Sequence, residues 1–169
     1  HCDANSCRFA IMSELIEHCK AAAEMAKKES DEKVPTEKPI EIYQLIIKLC
    51  QGTKSKAFLD AHHSIALIYI EQAKYAEAAN EFLTYIAALA ACTQSEAFVY
   101  RVSEVYVSAV LSRFLADTSA DLGILAEEIA TCIRHDCIAD EDYRLLINLS
   151  QAVNDKNDER LSEMLYNLS

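Results

Sequence analysis

Glycine and proline are nearly absent from this chain, with two of each in 169 residues. Strands reverse through turns built on those residues, so their scarcity argues against a sheet-rich fold and for an all-helical one. No apolar run approaches the ~18 residues that a membrane span requires, and nothing at the start reads as a signal peptide. The chain opens on His1 rather than methionine, as a piece of a longer protein would. Basic residues are also few: 16 Lys and Arg stand against 27 Asp and Glu, for a net charge of −11. Nucleic acid and anionic bilayers select clustered Lys and Arg, so neither is expected as the main partner. The seven cysteines contain no CxxC pair and mostly fall within helical patterns, where Cys behaves as a small apolar residue. That usage fits a reducing cytoplasm.

With so little glycine, a phosphate-cradling loop or dinucleotide fingerprint cannot form, and no HExxH or nucleophile elbow occurs. No catalytic, cofactor-binding or metal-binding residue is therefore expected. His62 and His63 are adjacent, so on a helix they point about 100° apart and cannot share one metal. His62 falls on an apolar face and reads as a packed or hydrogen-bonded core histidine. Cys132, His135 and Cys137 have the spacing C-x-x-H-x-C, which matches no established zinc pattern and lacks a fourth ligand nearby. Glu127, Glu128, Asp155 and Asp158 read as solvated charge, and Tyr69, Tyr75, Tyr85 and Tyr106 as packing residues.

What the chain does contain is helical periodicity, clearest from Ala57 to Ile86. Phe58, Ala61, Ile65, Ala66 and Tyr69 recur at the spacing of one helix face, and Tyr75, Ala78, Ala79, Phe82, Ile86 and Leu89 do the same. Only Glu71 to Lys74 separates them, which predicts an antiparallel helical hairpin. Before it, a first helix capped by Asn5 and Ser6 is expected to run to Lys28, burying Met12, Leu15, Ile16, Cys19, Ala22 and Ala26. A charged flexible loop at about 27–39 holds both prolines. A second helix starts at Pro39, buries Ile42, Leu45, Ile46 and Leu49, and ends at Gly52.

After the hairpin, Ser95 is placed to cap a fifth helix burying Phe98, Val102, Val105, Tyr106, Ala109, Val110 and Phe114. A sixth buries Leu122, Leu125, Ala126, Ile129, Ala130 and Ile133. Asp140 is placed to cap a seventh, with Leu145, Leu146, Leu149, Ala152 and Val153 inward. Leu161, Met164, Leu165 and Leu168 form an eighth. About eight helices joined by short turns predict one domain over 1–169, stacked as antiparallel hairpins in a right-handed α-solenoid. Periodicity alone serves a globular bundle equally well, since both bury one stripe per helix.

The central hairpin resembles a tetratricopeptide repeat through Ile65, Ala66, Tyr69, Tyr75, Ala78 and Phe82, departing from it where Ala73 replaces the turn glycine and Tyr85 a small residue. From Ala61 onward the order of elements resembles the soluble NSF attachment protein (SNAP) family. The segments carrying this likeness are AHHSIALIYI, EQAKYAEAANEF, YRVSEVYVSAVL, LGILAEEIATCI and DYRLLINLSQAVNDKNDERLSEML. The resemblance implies an adaptor in vesicle trafficking that lies along a bundle of SNARE helices, recruits a hexameric ATPase and meets membranes only through those partners. In that family, inner-surface Lys and Arg face an acidic coiled coil. Here Glu77, Ser103 and Ser108 stand where the family tends to have Lys, leaving Lys74 and Arg101 as the candidate protein-binding residues.

Two further functions stand beside it. An acidic surface suits a scaffold subunit of a larger complex with a basic partner, and Cys132, His135 and Cys137 supply the only opening for a metal protein or enzyme. Ala78→Leu is expected to overpack the hairpin and lower stability by about 1–3 kcal/mol. An unchanged thermal melt would show that Ala78 does not lie in a close helix contact.

Overall fold

The computed structural model of the protein describes residues 4–29, 37–50, 55–90, 96–133, 138–157 and 159–160. Among the described residues the fold is all-α, with seven helices and no strand. They are α1 (Ala4–Glu29), α2 (Glu37–Leu49), α3 (Lys56–Glu71), α4 (Tyr75–Ala90), α5 (Glu96–Ala116), α6 (Leu122–Ile133) and α7 (Asp140–Asn154). The expected eighth helix over Leu161–Leu168 lies outside the described residues. Glu159 and Arg160 are nonetheless helical, and the Asn157 side chain accepts the Arg160 N–H at 3.0 Å, as an N-cap does. The helices form two compact units, His1–Glu81 and Phe82–Ser169, with the boundary inside α4.

In the first unit α1, α2 and α3 share a core of Ala23, Ile40, Tyr43, Ile46, Cys50, Ala61, Ile65 and Ile68. The expected loop is shorter than 27–39: α1 continues to Glu29 and α2 starts at Glu37, so only 30–36 fall outside the described residues. Pro39 lies in the first turn of α2, where its missing N–H costs nothing, and it is buried. Asn5 and Ser6 lie inside α1 rather than before it. The buried arc of α2 is also rotated from the expected one, since Tyr43 is inside and Leu45 is 47% exposed. Leu15 on α1 is likewise exposed, and Ala23 rather than Ala22 is inside. The Tyr43 hydroxyl donates to Glu24 at 2.7 Å, tying α2 to α1.

Helix α3 is covered on two sides. Ala61, Ile65 and Ile68 join the core with α2, while His62 Nδ1 meets Glu81 of α4 at 2.5 Å and its ring packs edge-on to Phe58. Ser55, a cap not recognised in the sequence, accepts the Phe58 N–H at the start of α3. The end of α3 is a Schellman motif: the Lys74 N–H reaches the Tyr69 carbonyl at 2.8 Å and the Ala73 N–H reaches Ile70 at 2.9 Å. That geometry requires a left-handed residue, and Ala73 takes it with φ 56. The hairpin therefore turns without glycine, at a steric cost.

In the second unit α5, α6 and α7 pack on one another, with Val102, Tyr106 and Val110 of α5, Ala126 and Ile129 of α6, and Leu146 and Leu149 of α7 buried; Phe82, Tyr85 and Ile86 of α4 are buried as well. Polar side chains tie these helices together. Tyr106, fully buried, donates to the Ala126 carbonyl at 2.9 Å. Ser103 of α5 is buried, accepts the Ala139 N–H at 2.9 Å and donates to Asp142 at 2.5 Å. Asp140 is not the cap of α7; it is the first helical residue, Ala139 occupies the cap position, and α5 supplies the acceptor. Asp121 accepts the Ile124 N–H at 3.0 Å and the Asn154 amide at 3.2 Å, joining the start of α6 to the end of α7. Gly123 donates to Ser150 at 3.1 Å, and a Cβ at Gly123 would lie 3.1 Å from that same Ser150 oxygen.

Ala73→Gly should relieve the left-handed strain, stabilising the protein by roughly 0.5–1 kcal/mol after the added freedom of the unfolded chain is subtracted. An equilibrium denaturation midpoint that falls in this variant would contradict the turn geometry. Hydrogen bonds, first from the Ile124 N–H and then from Asn154, hold the Asp121 carboxyl below the usual aspartate range. A carboxylate depressed on folding contributes stability above its unfolded value, near ~3.9, and loses it as the pH falls through the lower folded value. Asp121→Asn should therefore flatten the fall in stability under acid, read as melting temperature against pH. A wild-type slope retained in the variant would assign the acid sensitivity elsewhere.

Candidate protein-interaction cleft

The first turns of α2 carry Glu37, Ile40, Glu41 and Gln44 at the spacing of one helix face, and that face approaches the end of α3 and its turn. With Tyr69 and Lys74 they line a cleft of about 250 Å³. Ile40 is buried, Tyr69 half-buried, and Glu41 and Gln44 exposed.

The turn explains why Lys74 is where it is. In a Schellman motif the residue two beyond the cap commonly packs on the third-last helical residue. Here those residues are Lys74 and Tyr69, and the ammonium stands 5.8 Å from the ring centroid. Its other neighbour is Glu37, at 3.8 Å. Both side chains are well exposed, 42% for Lys74 and 80% for Glu37, and such a surface pair contributes about 0–1 kcal/mol. Lys74 is held weakly enough to be moved aside.

The cleft is acidic despite this lysine. Burial, reinforced by the carboxylates of Glu81, Glu77 and Glu37, pushes the Tyr69 phenol above its ordinary value. Of the carboxylates, Glu37 and Glu41 line the cleft itself, both on the α2 side. What the arrangement can do chemically is bind a cation, through an aromatic face and carboxylate acceptors set beside one another.

Lys74 and Arg101, the two residues singled out as protein-binding, fall in different units. Arg101 is exposed on α5. Ser103, matched to a family surface lysine, is inside and serves as a helix tie, whereas Glu77 is exposed and Ser108 half-buried. His62 is a core histidine bonded to Glu81. Cys132 is exposed, while His135 and Cys137 lie outside the described residues. Among the described residues no group of three or more His, Cys, Asp and Glu side chains is arranged to hold a metal.

Glu37 falls within the loop expected at about 27–39, and Glu41 and Gln44 carry no motif that marks them in the sequence. The available signal was the acidic pair one turn apart at the start of α2. Its partner across the fold, Tyr69 beside Lys74, follows only from a turn that Ala73 conceals. Among the described residues no helix is long and apolar enough to cross a membrane. Comparison with protein-family models, with curated proteins and with solved structures finds no match to this chain.

Proposed function

We propose that this protein is a non-enzymatic interaction adaptor of the helical-repeat kind, a scaffold element in the cytoplasm whose partner presents basic side chains. The observation that supports this reading is the engagement of Lys74. Its ammonium lies beside Glu37 and over Tyr69, and the carboxylates of Glu37, Glu77 and Glu81 outweigh its charge at the Tyr69 phenol. The net charge of −11 acts in the same direction by steering cationic partners toward the surface.

A second reading keeps the resemblance to the attachment proteins: a trafficking adaptor that engages a SNARE bundle and a hexameric ATPase. Its support is the order of the helices from α3 onward and the exposed Arg101 on α5, which remains a basic contact for an acidic coiled coil.

Binding of a basic amphipathic helical peptide, its Glu-substituted counterpart and an assembled SNARE bundle separates the two. The basic-partner reading predicts capture of the first alone, weakening as salt is raised. Equal binding of both peptides, or capture of the bundle without the basic peptide, contradicts it.

A further inference from the structure

We propose that the Tyr69 cleft receives one arginine side chain of the partner, and that Lys74 occupies it as an internal stand-in until that arginine arrives. The inference rests on the basic-partner reading and adds to it the identity of the group recognised and the place where it binds.

The protein supplies its own evidence that the cleft takes a cation. The Lys74 ammonium stands 5.8 Å from the centre of the Tyr69 ring and 3.8 Å from Glu37, an aromatic face and a carboxylate together. Glu77 and Glu81 add negative potential at the phenol, and Glu41 lines the side that Lys74 does not reach. One internal ammonium therefore leaves the site under-neutralised.

Size and shape narrow the occupant. At about 250 Å³ the cleft falls below the ~300–1,000 Å³ of ordinary small-molecule pockets, so a single side chain suits it better than a metabolite. A guanidinium is planar, stacks on an aromatic face and gives paired N–H donors to a carboxylate. Glu37 and Glu41, one helical turn apart, present two such carboxylates, and the Gln44 side chain adds an amide oxygen beyond them. Lysine, a compact and strongly hydrated charge, uses less of that surface. A guanidinium stacked on Tyr69 and paired through both its N–H donors to Glu37 would take the place that the Lys74 ammonium holds, so Lys74 swings out, which its exposure permits.

This gives a prediction of unusual sign: removing a basic residue at the site strengthens binding by loss of competition. Lys74→Met keeps an unbranched stem to pack on Tyr69 and removes only the ammonium. Lys48→Met, on the exposed side of α2 and outside the cleft, makes the same change in net charge and controls for long-range attraction. The probe is the basic helical peptide in Arg-containing and Lys-containing forms, bound to the full chain, with the tyrosine ring resonances followed by NMR and assigned with Tyr69→Phe.

The expected result is that Lys74→Met tightens the Arg peptide by about fivefold, Lys48→Met by much less, and a Glu37→Gln/Glu41→Gln pair weakens it by a similar factor. The Arg form should outbind the Lys form, and the Tyr69 resonance should shift on titration. A peptide that binds while Tyr69 stays still, or that gains equally from both methionine variants, overturns the cleft but leaves the basic-partner reading intact. Failure of the wild-type chain to bind either basic peptide overturns both.

Discussion

The turn that closes the end of α3 governs much of what the first unit presents to solvent. The bond from the Lys74 N–H to the Tyr69 carbonyl, 2.8 Å long, closes the helix and turns the chain through Ala73 into α4. The same closure sets Lys74 over Tyr69. It also starts α4 in the direction that brings Glu81 back to His62. A structural turn and a recognition surface thus share one geometry, and the left-handed alanine bears the strain for both.

Both units use polar ties between helices in addition to hydrocarbon packing. Tyr43 to Glu24 ties α2 to α1, and His62 to Glu81 ties α3 to α4. In the second unit Ser103 holds the start of α7, and Asp121 with Ser150 and Asn154 holds α6 against it. A mispaired register would bury such groups without these partners, at a cost larger than the bond itself contributes. These ties select one register among the several that interchangeable apolar stripes would allow.

That is also where the sequence is least legible. The existence and order of the helices follow from periodicity, and the hairpin boundaries agree because Glu71–Lys74 is too short for any other connection. Which arc of each helix faces inward is harder. On α2, Ile42, Leu45 and Tyr43 all lie within one broad apolar arc, and the Tyr43 hydroxyl settles the choice by finding Glu24. On α3 Leu59 and Ile68 are buried as well, and the single stripe from Phe58 to Tyr69 leaves both out. Ser103 looks like surface because serine is small and polar, yet it is buried, its hydroxyl being spent on Ala139 and Asp142. The cleft depends on residues thirty and more positions apart, Glu37 with Tyr69 and Lys74, and no local pattern joins them.

The electrostatic sign of that cleft decides what kind of partner it can take, and the Tyr69 phenol feels it in addition to its own burial. An NMR titration of the tyrosine ring carbons with pH, assigned by comparison with Tyr69→Phe, reads the ionisation of this phenol directly. Burial and the neighbouring carboxylates place it above the ordinary tyrosine value near ~10. A Tyr69 that ionises below that value would mean that the Lys74 cation dominates its surroundings, and an acidic cleft for a basic partner could not stand.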